Sequence, residues 1–183
     1  MIFNVAQLLK APVGTSYDVA LDDEDKLDLQ DVEGELAGPV AGQLRLHRTN
    51  QGVFASGTVT VPMRLTCTRC LKEFDTDITF PLHEEFYPTI DVVTGAPVAT
   101  PDDPELSFPI NRRHEIDTRE AIRQNLLLAM PMRALHSEDC AGLCSQCGKD
   151  LNEGPCDCKP EVVDERFAAL RELLNGASAT EAD

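Results

Sequence analysis

The chain has 183 residues, 42% of them hydrophobic, and a formal net charge of −16 from 32 acidic and 16 basic residues. That length suits one domain with a small appended module and is enough to bury an apolar core. The charge argues against a protein that coats naked RNA, because such affinity comes from neutralising phosphates with Lys and Arg. No apolar run is long enough to cross a bilayer, and Met1 to Lys10 has no basic region ahead of an apolar stretch, so a cytoplasmic protein without membrane contact is expected.

Residues 1–35 read as an N-terminal segment with an acidic loop. Between Asp18 and Glu35 nine acidic residues stand against the single Lys26, the pattern of a solvated stretch or of a surface for a basic protein partner. Residues 36–86 predict an antiparallel sheet. Val40, Leu44 and Leu46 share one face of a strand, and Asn50-Gln51-Gly52 supplies the turn into Val53 and Phe54. Val59, Val61, Met63, Leu65 and Cys67 then alternate with polar residues, and Phe74, Thr76, Ile78, Phe80 and Leu82 repeat the pattern, so each run is a half-buried strand. Joined across residues 67–73, the two make a hairpin with Cys67-Thr-Arg-Cys70 at its tip.

Residues 87–115, with Pro88, Pro97, Pro101, Pro104 and Pro109, predict a long loop or mobile linker. Residues 116–174 predict a helix, a cysteine-rich module and a second helix. Asp117-Thr-Arg-Glu120 has the form of a capping box, Ile122 and Leu126 to Met130 make the first helix too apolar to stay exposed, and Pro131 ends or bends it. The last helix starts near Asp164, buries Phe167, Leu170 and Leu174, and stops at Asn175-Gly176, leaving residues 175–183 as a disordered tail. The fold class that follows is α+β: an antiparallel sheet, as a meander or partial barrel, with two helices and a C-terminal zinc-binding module.

The seven cysteines and His136 carry the chemistry. In a compartment that keeps thiols reduced, closely spaced cysteines read as metal ligands or redox groups before disulfides. Cys144-x2-Cys147 followed by Cys156-x-Cys158 is a compact four-thiolate set, and Gly148 favours the tight turn that aims backbone amides at sulfur. Cys67, Cys70, His136 and Cys140 remain as a three-sulfur, one-nitrogen set. Together these eight donors match two tetrahedral zinc ions. Cys140 has an alternative place in the downstream cluster, which would leave Cys67 and Cys70 without metal. Structural zinc binding supplies about 10–16 kcal/mol, so the C-terminal third is expected to depend on it.

Redox chemistry is the rival use of the thiols, but a thioredoxin-like C-x-x-C sits at a helix N-terminus in a βαβ unit, whereas both pairs here fall in turns. The H-x-E with P-C-x-x-C and the H-E-x-x-H signatures of catalytic zinc are absent. Glu138 and Asp139 read as exposed turn residues, with a supporting role behind the ligands as the alternative. His47, His83 and His114 read as solvent-face or loop residues. Arg112, Arg113, Arg119 and Arg123 form the only local basic cluster, a solvated helix start or, alternatively, an RNA phosphate contact.

The chain resembles the YceD family, a bacterial and plastid group. The resemblance is carried by Cys67-Thr-Arg-Cys70-Leu-Lys-Glu-Phe74, Glu115-Ile-Asp-Thr-Arg-Glu120, Leu126-Leu-Leu-Ala-Met-Pro-Met132, Cys140-Ala-Gly-Leu-Cys144-Ser-Gln-Cys147-Gly-Lys-Asp-Leu-Asn152 and Asp164-Glu-Arg-Phe-Ala-Ala-Leu170. Members similar to this branch often have cysteine where His136 stands; histidine keeps the donor count unchanged. The resemblance implies a role in ribosome biogenesis; with no catalytic zinc signature in the chain, the expected function is non-enzymatic support of large-subunit ribosomal RNA maturation or accumulation. Together with the negative charge, it leads us to expect a basic ribosomal protein or a pre-ribosomal particle as partner. A metal-dependent RNA-processing enzyme and a zinc-dependent transcription-control adaptor are the alternative functions.

Overall fold

A computed structural model describes residues 1–23, 27–98 and 108–158. The chain divides into two compact units, residues 1–140 and 141–183. The first contains β1 (Ile2–Asn4), α1 (Ala6–Lys10), β2 (Ser16–Asp23), β3 (Glu35–Leu36), β4 (Val40–Arg48), β5 (Val53–Thr66), β6 (Glu73–Pro88), β7 (Phe108–Ile110), β8 (Glu115–Asp117) and α2 (Arg119–Ala129). The expected helix from Asp164, the tail and part of the proline-rich stretch lie outside the described residues.

The alternation in the middle of the chain folds as it reads. β5 pairs antiparallel with β6 over its whole length, from Val53 opposite Phe86 to Thr66 opposite Glu73. Val53, Ala55, Val59, Val61, Met63 and Leu65 are buried on one face, with Phe80, Leu82 and Phe86 beside them. β4 pairs antiparallel with β5 across the Asn50-Gln51-Gly52 turn, where the Thr49 hydroxyl oxygen accepts the Gly52 amide at 2.9 Å. Gly57 permits a close crossing, since a Cβ there would lie 2.0 Å from the Gln43 carbonyl oxygen. The larger sheet runs β2-β4-β5-β6-β7, with β3 added to β5, while β1 and β8 form a separate pair.

Two expectations are corrected. The acidic stretch is not a loop from its start, because Ser16–Asp23 is a strand paired with β4. Val19 and Leu21 alternate there with Asp18 and Ala20, Leu21 is buried, and Asp18 forms an ion pair with Arg45 at 2.8 Å. Leu27 and Val32 are also buried further along. Residues 87–115 are not a continuous loop either: β7 pairs parallel with β6, and β8 pairs with β1. The sheet is therefore mixed. Pro109 is tolerated because β7 lies at its edge, where a missing N–H breaks no inner ladder.

α2 begins where the sequence places it but without the reciprocal capping box. The Thr118 hydroxyl donates to the Met1 carbonyl at 3.2 Å, while the Asp117 carboxylate accepts the Arg119 amide at 3.1 Å. Glu120 turns to Arg123 and Gln124 instead of reaching back. Ala121, Ile122 and Leu126 enter the core, whereas Leu128 remains 84% exposed. α1, from Ala6, adds Leu8 and Leu9 to that core; five residues are too short for helical periodicity to announce them.

Leu126→Ala should lower stability by about 2–5 kcal/mol by leaving a cavity, and Leu128→Ala by less than about 0.5 kcal/mol, as measured by denaturant unfolding.

Candidate metal centres

Both C-x-x-C segments are built from the same backbone turn. In the first unit the Cys67 amide donates to the Lys72 carbonyl at 2.8 Å and the Leu71 amide to the Cys67 carbonyl at 2.9 Å. In the second unit the Cys144 amide donates to the Lys149 carbonyl at 2.8 Å, and the Gly148 amide to the Cys144 carbonyl at 2.9 Å. The flanking pairs match as well, Thr66 opposite Glu73 and Leu143 opposite Asp150. Each turn needs a left-handed residue just after its second cysteine, Leu71 at φ 60° and Gly148 at φ 72°.

At the β5–β6 tip the turn meets the segment that follows α2. Cys67, Cys70 and Cys140 are buried, while His136 is exposed. Cys67 Sγ lies 3.8 Å from Cys140 Sγ, and Cys70 Sγ lies 3.3 Å from His136 Nδ1. A tetrahedral ion with metal–sulfur bonds of about 2.3 Å separates its sulfurs by about 3.8 Å, and sulfur from nitrogen by about 3.6 Å. The four donor atoms all lie within 4.8 Å of one another, so this set fits a metal ion. Cys140 thus stands with Cys67, Cys70 and His136.

The sulfurs of Cys144, Cys147, Cys156 and Cys158 likewise all lie within 4.8 Å of one another. Their scaffold is local. The Ala141 amide donates to Asn152 Oδ1 at 2.8 Å, Asp150 caps the short 3₁₀ turn Leu151–Glu153 by accepting the Asn152 amide, and Lys149 Nζ donates to the Pro155 carbonyl at 2.7 Å. This set is more open: Cys147 is exposed and the other three are half-buried.

The electrostatics suit a cation. Burial pushes the Cys67 thiol up, but hydrogen bonds from His136 and from the Cys70 and Arg69 amides outweigh it and bring it down to about 5. Burial and the neighbouring thiols push Cys70 up. In the second set the Cys147 and Gln146 amides draw Cys144 down to about 6, while Cys158, hydrogen-bonded to Cys147 and desolvated, is pushed up to about 12. Crowded sulfurs cannot all ionise unless a positive charge joins them. All seven cysteines are free thiols, and neither C-x-x-C opens a helix, so the arrangement suits metal binding better than dithiol exchange.

Glu138 and Asp139 are exposed. His83 stacks on Phe54 with ring centroids 6.3 Å apart, and His114 sits in a left-handed turn at φ 58°. Of the four clustered arginines, Arg119 pairs with Asp117 and Arg123 with Glu120, while Arg112 and Arg113 are exposed in the turn before β8. Reading the sequence missed Arg69, whose guanidinium donates to the Cys140 carbonyl at 2.8 Å. Its place between two ligands was the available signal, and Gln146 holds the same place with no such bond among the described residues.

Fold and site define an α+β protein with two sets of soft donors, each able to hold a metal ion. The family described as "Large ribosomal RNA subunit accumulation protein YceD" matches residues 55–174, a span that includes β6, α2 and all eight donors, and the chain belongs to it. It is 32% identical over 138 residues to an uncharacterized protein of Mycobacterium tuberculosis, covering 75% of this chain and 63% of that relative. With an uncharacterized protein of Mycobacterium leprae the identity is 27% over 150 residues, covering 81% and 65% respectively. The chain thus spans less than two thirds of the length of these curated relatives. The Arabidopsis thaliana protein "Large ribosomal RNA subunit accumulation protein YCED homolog 1, chloroplastic" is 35% identical over 69 residues, 38% of this chain and 21% of that protein. No solved structure matches.

Because the two turns share one backbone, Gly148→Leu should destabilise the second unit by about 1–2 kcal/mol. Leu71→Gly should relieve the equivalent strain in the first. Limited proteolysis of the two variants compares the units directly.

Proposed function

We propose that this chain supports the accumulation of large-subunit ribosomal RNA as a non-enzymatic cytoplasmic factor, with two structural zinc ions, that holds a basic ribosomal protein or a pre-ribosomal particle. Membership of the YceD family supports the ribosomal direction. The observation that favours a basic protein over naked RNA is that six of the eleven arginines are engaged within the chain. Arg45, Arg64, Arg119 and Arg123 are engaged with the chain's own carboxylates, and Arg48 and Arg69 with backbone carbonyls. These cations are spent internally, while the surface keeps its large acidic excess. Phosphate neutralisation would need them free; a basic partner would meet complementary charge.

Zinc is favoured as the metal because thiolate and imidazole donors in tetrahedral sets are its usual surroundings. The residues that would hold it are Cys67, Cys70, His136 and Cys140 in one set and Cys144, Cys147, Cys156 and Cys158 in the other. A bound ion would supply folding energy to each segment, with no open position for water needed.

Elemental analysis of carefully purified protein should find about two zinc ions per chain, and strong chelation should unfold residues 141–158 first, because their apolar burial is slight. One ion or none would remove the two-site reading. Depleting the protein in cells should lower mature large-subunit RNA relative to small-subunit RNA, with basic ribosomal proteins co-purifying in a salt-sensitive manner. Unchanged subunit profiles would count against the ribosomal role.

A further inference from the structure

The first donor set has a difficulty that the second lacks: its parts come from distant stretches of chain. Cys67 and Cys140 are 73 residues apart, and Cys70 and His136 are 66 apart. An ion can capture all four donors without a large ordering cost only if residues 134–140 already lie in register against the hairpin tip. The two residues between the cysteines of the first turn provide that register. The Thr68 amide and hydroxyl both donate to the Ala134 carbonyl, at 2.8 and 3.2 Å. Arg69 Nη1 donates to the carbonyl of Cys140 itself at 2.8 Å. Ser145 and Gln146, their counterparts in the second turn, make no side-chain hydrogen bond among the described residues.

We infer that Arg69 is a positioning residue for the first metal centre, holding the Cys140 backbone so that its sulfur completes the donor set before an ion arrives. This rests on reading the first set as a metal centre. The charge acts in the same direction: three thiolates, one neutral imidazole and a divalent ion leave a net negative centre, and the guanidinium fixed on a ligand's carbonyl offsets it. Thr68 acts at the other end of the segment. Only its hydroxyl bond depends on the side chain, so its contribution is the smaller one.

The test is zinc affinity by chelator competition, with cobalt as a spectroscopic probe, in the full chain carrying Cys144→Ser and Cys147→Ser so that only the first set reports. Arg69→Ala should weaken zinc binding about 10–100-fold and distort the tetrahedral cobalt bands, with the melting temperature of metal-free protein lowered only slightly, by the loss of one hydrogen bond. Arg69→Lys, which keeps one donor and the charge, should recover part of the loss. In a chain carrying Cys67→Ser and Cys70→Ser, where the second set reports, Arg69→Ala should leave affinity unaltered. Equal affinity in parent and Arg69→Ala overturns the assignment. So does a loss matched by a much lower metal-free melting temperature and not recovered by lysine. If the parent's first set binds neither ion, the metal reading itself fails and this inference falls with it.

Discussion

The antiparallel register between β5 and β6 is the constraint from which the rest of the first unit follows. Fixing Val53 opposite Phe86 at one end and Thr66 opposite Glu73 at the other sets which side chains enter the core. It also delivers Cys67 and Cys70 to the same end of the ribbon. A slip of one residue would turn the face of Val59, Val61 and Met63 into solvent, so burial of that face holds the sulfur-bearing tip in place. Hydrophobic packing and donor geometry are coupled through one ladder.

The same coupling explains what was legible in the sequence. β5 and β6 were readable because their period of two runs unbroken over many residues, and α2 because its apolar residues cluster between an acidic start and Pro131. Both cysteine sets were readable from spacing and count, although the place of Cys140 needed the fold. β2 was hidden by its charges: Asp18 lies on the outer face, where Arg45 meets it, while Val19 and Leu21 turn inward. β7 and β8, three residues each, are too short to show a period, and their strand character comes from partners already folded. The cap of α2 escaped because Thr118 finds its acceptor at Met1, 117 residues away.

Gly148 takes the left-handed position after the second cysteine without steric cost. Leu71 occupies the same left-handed conformation with a 65% exposed side chain. The flanking ladder is longer in the first turn, and a long ladder can impose a conformation that an isolated bridge cannot. The family resemblance and the backbone thus draw on the same short segments, since residues that shape a turn also make a recognisable motif.

The two donor sets differ most in how much chain each must close. Cys144 to Cys158 span a short loop, whereas the first set joins residues on either side of β6 and α2. Loop-closure entropy and the search for non-local contacts both favour the short loop. The second set needs only its own few turns to bring its donors together. The first needs the β5–β6 hairpin and the segment after α2 to be packed together before its donors can meet. A common turn thus serves two kinds of closure, one local and the other dependent on the fold of the whole first unit.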